Sequence, residues 1–135
     1  IKPVLGNQGF DAVVYNETGS LHERLELTVP HDGADAAQDA QYRAEHGIGR
    51  AHVGDPCDDF EHITPFVIET CEDKARKDYS DAKLLVVVNV QPPFSAFEDQ
   101  YEQCVRKLRE QVSQLRFKAA GVVLFLPPSR IERVG

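Results

Sequence analysis

Two short apolar runs on either side of a long amphipathic stretch constrain this chain most. Residues 84–90 read Leu-Leu-Val-Val-Val-Asn-Val, and residues 122–126 read Val-Val-Leu-Phe-Leu. Both runs are short and nearly continuous, the pattern of a strand covered on both faces. Between them Phe97, Tyr101, Cys104, Val105, Leu108, Val112 and Leu115 recur at helical spacing. That stripe predicts a helix over 95–117, with Ser95 and Glu98 spaced as a capping box. Pro92-Pro93 and Pro127-Pro128 end the two strands. A strand, a helix and a second strand in this order make a parallel, right-handed crossover, the building unit of an α/β sheet.

A hairpin precedes it. Residues 10–15 are rich in β-branched and aromatic side chains, residues 16–20 (Asn-Glu-Thr-Gly-Ser) form a turn, and residues 21–29 alternate. Leu21, Leu25, Leu27 and Val29 fall on one face of the second strand; His22, Arg24, Glu26 and Thr28 fall on the other. Residues 34–46 predict a helix capped by Asp32 or Gly33 and stopped by Gly47. Residues 48–59, with two glycines and a proline, read as a linker. A second helix follows over 60–79, capped by Asp58 or Asp59, with Pro65 in its first turn. The expected fold class is therefore α/β: a mixed sheet with a leading β-hairpin and a parallel β-α-β crossover. The 135 residues make one domain, 1–135. The chain opens on Ile1 rather than Met, which leaves room for a preceding segment.

Composition narrows the chemistry. A net charge of −7 repels phosphate backbones over the surface as a whole, so a nucleic-acid partner needs a local basic patch. The longest apolar runs are too short to span a bilayer, so no membrane partner is expected. Cys57, Cys71 and Cys104 have neither zinc spacing nor an even count, which points to buried thiols in a reducing cytoplasm. The five histidines lack HExxH spacing, no GxSxG occurs, and residues 47–49 lack the glycines of a phosphate loop. Acyl transfer, dinucleotide binding and catalytic zinc are not supported.

One constellation has a chemical reading. Asp11 heads the first hairpin strand and Glu26 lies on the polar face of the second. Two carboxylates brought close by strand pairing suit a hard divalent cation. This order, with an Asp on one hairpin strand and a Glu on the next, resembles the PD-(D/E)xK nuclease superfamily, over residues 10 to about 126. The resemblance implies a restriction-endonuclease-like fold and a Mg²⁺ or Mn²⁺ site formed by Asp11, Glu26 and the carbonyl of Leu27. It also implies catalysis through Glu26 and a lysine two positions later, where this chain has Thr28. A threonine supplies neither the positive charge nor the proton transfer of a lysine. Lys74 and Lys77, i,i+3 neighbours on the second helix, are candidates for a migrated lysine. Arg24 and Arg43 are candidates for a substrate phosphate, and Glu45 for an extra ligand. His31-Asp32, just past the Glu26 strand, could border the same cleft.

The resemblance thus implies a Mg²⁺-dependent hydrolase acting on nucleic acid. The alternative is a degenerate nuclease-fold module used for protein or nucleic-acid association, with the 95–117 helix, whose polar side carries Arg106, Lys107, Arg109 and Glu110, as a homo-oligomer contact.

Overall fold

The computed structural model describes residues 2–3, 11–49, 56–90 and 97–134. The elements run β1 (Lys2–Pro3), β2 (Ala12–Tyr15), β3 (Leu21–Thr28), α1 (Gly33–His46), α2 (Pro56–Ala75), β4 (Asp78–Val87), α3 (Glu98–Ser113), β5 (Lys118–Leu126) and β6 (Arg130–Val134). The strands form one sheet whose spatial order is the chain order, β1 to β6. β3 pairs parallel with β4, and β4 with β5; the outer pairs are antiparallel. The fold is α/β with a mixed sheet.

The leading hairpin forms as its turn residues dictate. Asn16 Oδ1 accepts hydrogen bonds from the Thr18 and Ser20 backbone N–H groups at 3.1 and 2.9 Å. Gly19 sits at φ 81°, which a side chain would strain. A register shift between Val14 and Tyr15 then marks a bulge.

Two crossovers run the same way along the sheet, β3 through α2 to β4 and β4 through α3 to β5, so right-handed connections put both helices on one face. Facing them are Leu84, Val86 and Val88 of the β4 segment and Val122, Leu124 and Leu126 of β5, in a single core with Phe60, Val67 and Cys71 of α2 and Tyr101, Val105, Leu108 and Val112 of α3. Phe60 meets Tyr101 edge to face at 5.5 Å between ring centroids. The other face carries Leu25, Leu27, Leu85, Val87, Val123, Phe125 and Ile131, none of them buried. The expectation that the apolar strands are covered on both faces is therefore met on one face only among the described residues. Covering the second with a helix requires a reversal of strand order, which this topology lacks.

Several boundaries differ from the sequence reading. The second helix begins at Pro56, not residue 60, with proline at the first position that tolerates it. Asp58 and Asp59 are then first-turn residues rather than caps, and Pro65 lies in the interior. Thr64 donates its hydroxyl to the Phe60 carbonyl there (2.8 Å). The helix ends at Ala75, and Tyr79 already belongs to β4, paired with Ala119. α3 spans Glu98–Ser113 rather than 95–117; Ser95, and with it the capping box, falls outside the described residues, as does Phe10. β1 and β6 have no counterpart in the sequence reading. β6 is tied to α3 by Arg130, which reaches Glu102 (2.8 Å), and by Arg109, which reaches Glu132 (3.1 Å). Cys57, Cys71 and Cys104 are free thiols, the first two buried; burial pushes the Cys71 thiol up to about 12.

The one-sided core predicts an asymmetric response to truncation. Leu84→Ala should destabilise the fold by about 2–5 kcal/mol. Leu27→Ala, on a side chain 46% exposed, should cost less than about 1 kcal/mol. Urea denaturation of the two variants checks this.

Candidate functional site: the Glu26–Lys74 pair and a separate cleft

The register of β3 against β4 decides where the polar face of β3 points. Glu26 pairs with Leu84 and Thr28 with Val86, and both partners belong to the core beneath the helices. Paired residues on neighbouring strands share a face, so Glu26 and Thr28 are turned toward the helical layer. Leu25 and Leu27 take the half-exposed face instead. A strand that alternates between apolar and polar residues has here buried part of its polar side.

Glu26 meets Lys74 in that layer. Lys74 lies in the last turn of α2, where a cation complements the helix dipole. Its Nζ stands 2.6 Å from Glu26 Oε1, and the two side chains are only 17% and 12% exposed. The ammonium also lies over the Tyr79 ring, 5.3 Å from its centroid. Burial alone would lower the pKa of Lys74, but its hydrogen bonds to Glu26 and Tyr79 outweigh that and hold it above the ordinary lysine range. Lys74 is therefore a fixed positive charge at neutral pH, suited to holding an anion and not to accepting a proton.

Asp11 occupies the bend just before β2. Its N–H donates to the Leu25 carbonyl at 2.7 Å, and its Oδ2 accepts from the Leu27 N–H at 2.8 Å. The carboxylate thus continues the β2–β3 ladder beyond the end of β2. Ala12 pairs with Leu25, and Asp11 bonds to Leu25 and Leu27, the residues on either side of Glu26 along β3.

The other candidates are placed differently. Arg24 shares the Glu26 face of β3, one pleat away. Lys77 is not on the helix, which ends at Ala75, and is exposed in the turn that follows. Arg43 is exposed in the last turn of α1. Glu45, on the same helix, accepts from Gln41 at 3.0 Å. The structure therefore joins Lys74 to Glu26 and Asp11 to Leu27, and leaves Lys77, Arg43 and Glu45 on other surfaces. The i,i+3 reading of Lys74 and Lys77 fails because the helix ends between them.

The donor atoms fit a hard cation in type. Asp11 and Glu26 each keep one carboxylate oxygen not used in these bonds. The Leu27 carbonyl points to the same side of β3 as its N–H, toward Asp11. Among the described residues, however, no three His, Cys, Asp or Glu side chains gather as a metal cage. An ion here would take few protein ligands and complete its shell with water and phosphate oxygens, which is the habit of Mg²⁺.

A separate cleft of about 500 Å³ lies at the carboxyl ends of β3 and β4, and none of Asp11, Glu26, Leu27 or Lys74 lines it. Pro30, His31 and Asp32 follow β3 into it and Asn89 and Val90 follow β4; α1 contributes Asp35 and Asp39, and α2 contributes Asp59, His62 and Ile63. His62 Nε2 lies 3.1 Å from Asp32 Oδ2. The sequence pointed to His31 and Asp32 but not to His62 or Asp59. Asp59 falls inside α2 because the helix starts at Pro56, four residues before the expected start at residue 60.

No family model, curated protein or solved structure matches the chain.

The half-buried pair has a pH signature. Because the pKa of Lys74 is raised on folding, its contribution is complete below the ordinary lysine value of about 10.4 and is lost as pH rises through the folded value. Wild-type stability should therefore fall more steeply above about pH 10 than that of Lys74→Met. At neutral pH, Lys74→Ala should cost about 2 kcal/mol or more, since it strands the Glu26 carboxylate. Lys77→Ala should cost less than about 0.5 kcal/mol. Urea titrations across pH test both statements.

Proposed function

We propose that this chain is a nuclease-like phosphodiesterase domain of the PD-(D/E)xK type, in which Lys74 on α2 does the work of the lysine replaced by Thr28. The observation that carries this reading is the 2.6 Å approach of Lys74 Nζ to Glu26 Oε1, which brings a helix-borne lysine to the carboxylate of the hairpin. Asp11, bonded to Leu25 and Leu27 on either side of Glu26, supplies the second carboxylate.

In this reading Asp11, Glu26 and the Leu27 carbonyl hold Mg²⁺ or Mn²⁺. Such an ion, when bound, lowers the pKa of a coordinated water and neutralises phosphate charge. The remaining roles belong to this chain's own groups. Lys74, kept protonated by its neighbours, holds the negative charge that develops on a scissile phosphate. Thr28, one pleat beyond Glu26 on the same face, offers a hydroxyl donor to a phosphate oxygen. Arg24, one pleat before it, completes a polar row of Arg24, Glu26 and Thr28 and can meet a neighbouring phosphate.

A second reading, the degenerate nuclease-fold module, is favoured by a different observation. Each carboxylate already has a donor from within the chain: Lys74 for Glu26 and the Leu27 N–H for Asp11. In that case the pair is a structural ion pair that keeps the scaffold, and the exposed polar side of α3, with Arg106, Lys107 and Arg109, offers an association surface.

Two measurements separate the readings. Calorimetric titration with Mg²⁺ and Mn²⁺ should show binding in the wild type that Glu26→Ala abolishes. Mg²⁺-dependent cleavage of single- and double-stranded DNA and RNA should drop about 10²–10³-fold in both Glu26→Gln and Lys74→Ala. Full activity in Glu26→Gln would remove the site assignment. Neither binding nor cleavage in the wild type would favour the module.

A further inference from the structure

We propose that Tyr79 is a positioning residue of this site: its side chain, presented at the start of β4, holds the Lys74 ammonium in place beside the hairpin carboxylates. The part it plays in cleavage rests on the nuclease reading; its hold on Lys74 does not.

The first observation is the contact itself. Lys74 reaches partners on two different strands. One is Glu26 of β3, at 2.6 Å. The other is Tyr79 of β4, whose ring centroid lies 5.3 Å from the ammonium. Only 17% of the lysine side chain is exposed. The ring therefore acts on a cation that has lost most of its water, the setting in which an aromatic face holds it best. Burial opposes the charge of Lys74, and Tyr79 joins Glu26 in restoring it.

The second observation is the backbone that carries the two residues. Between Lys74 and Tyr79 the chain makes a short turn, in which the Arg76 and Lys77 N–H groups donate to the Asp73 and Lys74 carbonyls at 3.3 and 3.1 Å. The Asp78 carboxylate then accepts the Ser80 N–H at 2.9 Å. Tyr79 pairs with Ala119, but pairing with β5 resumes only at Lys83, opposite Gly121. The step from Tyr79 to Lys83 thus takes four residues of β4 against two of β5. A bulge of this kind re-aims nearby side chains and is over-represented beside active sites. Here it falls directly after the residue that meets Lys74.

The third is the chemistry of sharing. A hard cation takes carboxylate oxygens, so an ion held by Asp11 and Glu26 draws on the same carboxylate that binds Lys74. The face of an aromatic ring is no ligand for such an ion. Tyr79 therefore keeps its hold on the ammonium while Glu26 turns to the metal, and the lysine charge stays where a phosphate oxygen can meet it.

Two readouts on the full chain test this, with Tyr79→Phe keeping the ring and Tyr79→Leu removing it; Tyr79→Ile, which suits a strand, is a second ringless variant if Tyr79→Leu fails to fold. In NMR spectra of the lysine ammonium groups, the Lys74 signal is assigned by its absence in Lys74→Ala. Its exchange with water should be slow in the wild type and in Tyr79→Phe, and about three- to thirty-fold faster in Tyr79→Leu. Mg²⁺-dependent cleavage by Tyr79→Leu should lose the same factor in kcat with KM little changed, and Tyr79→Phe should retain most of it. In a Lys74→Ala background, Tyr79→Leu should remove nothing further. Unchanged Lys74 exchange in the ringless variants would overturn the positioning role, as would an equal loss of kcat with and without Lys74. A wild type that shows the exchange pattern but cleaves nothing would remove the nuclease reading and leave the hold of Tyr79 on Lys74 standing.

Discussion

The parallel pairing of β3 with β4 is the constraint on which the rest of this structure depends. Setting Leu25 against Lys83 and Glu26 against Leu84 decides which side of β3 joins the helical layer. Because side chains alternate, a slip of one residue would exchange the two faces of the strand. In the register observed, Glu26 and Thr28 enter the layer and Leu25 and Leu27 leave it. The position of Lys74, the half-exposed second face of the sheet and the cleft beyond Thr28 all follow from that choice.

Turning a carboxylate inward has a desolvation cost that must be offset locally. Lys74 offsets it, and the direction of its own pKa shift records the exchange: burial opposes the charge, and the bonds to Glu26 and Tyr79 restore it. An isolated pair of this kind is weak grounds for stability, because an apolar pair of similar volume would do as well or better. The same logic separates this pair from the exposed Arg76–Asp73 pair, which lies in solvent and contributes little.

The division of labour among the helices is also a consequence of topology. α2 and α3 sit on one face because their crossovers proceed in one direction along the sheet, and they supply the helical half of the core. α1 belongs to the same β3-to-β4 crossover but contributes no buried residue, and it serves as a wall of the cleft.

Much of the fold was legible in the residues. The hairpin, α1 with Asp32 and Gly47 at its ends, the apolar stripe of α3 and the parallel crossover all follow from local patterns of period two or 3.6 and from turn chemistry. So did the possibility that a helix-borne lysine near residue 74 meets the hairpin carboxylate. What was not legible depended on distant partners. β6 acquires its strand only by pairing with β5, and α2 is regular well upstream of Pro65, where Phe60 packs on Tyr101 of α3. Lys77 left the helix because β4 begins at Asp78. The amino-acid sequence by itself determined the hairpin, the three helices and the two central strands in their order, since those are set by interactions within a few residues. Only the tertiary structure decided the faces: which side of β3 is inside, that Glu26 meets Lys74 and not Lys77, and that His62 reaches Asp32. Those depend on strand register and crossover direction, which no local pattern encodes.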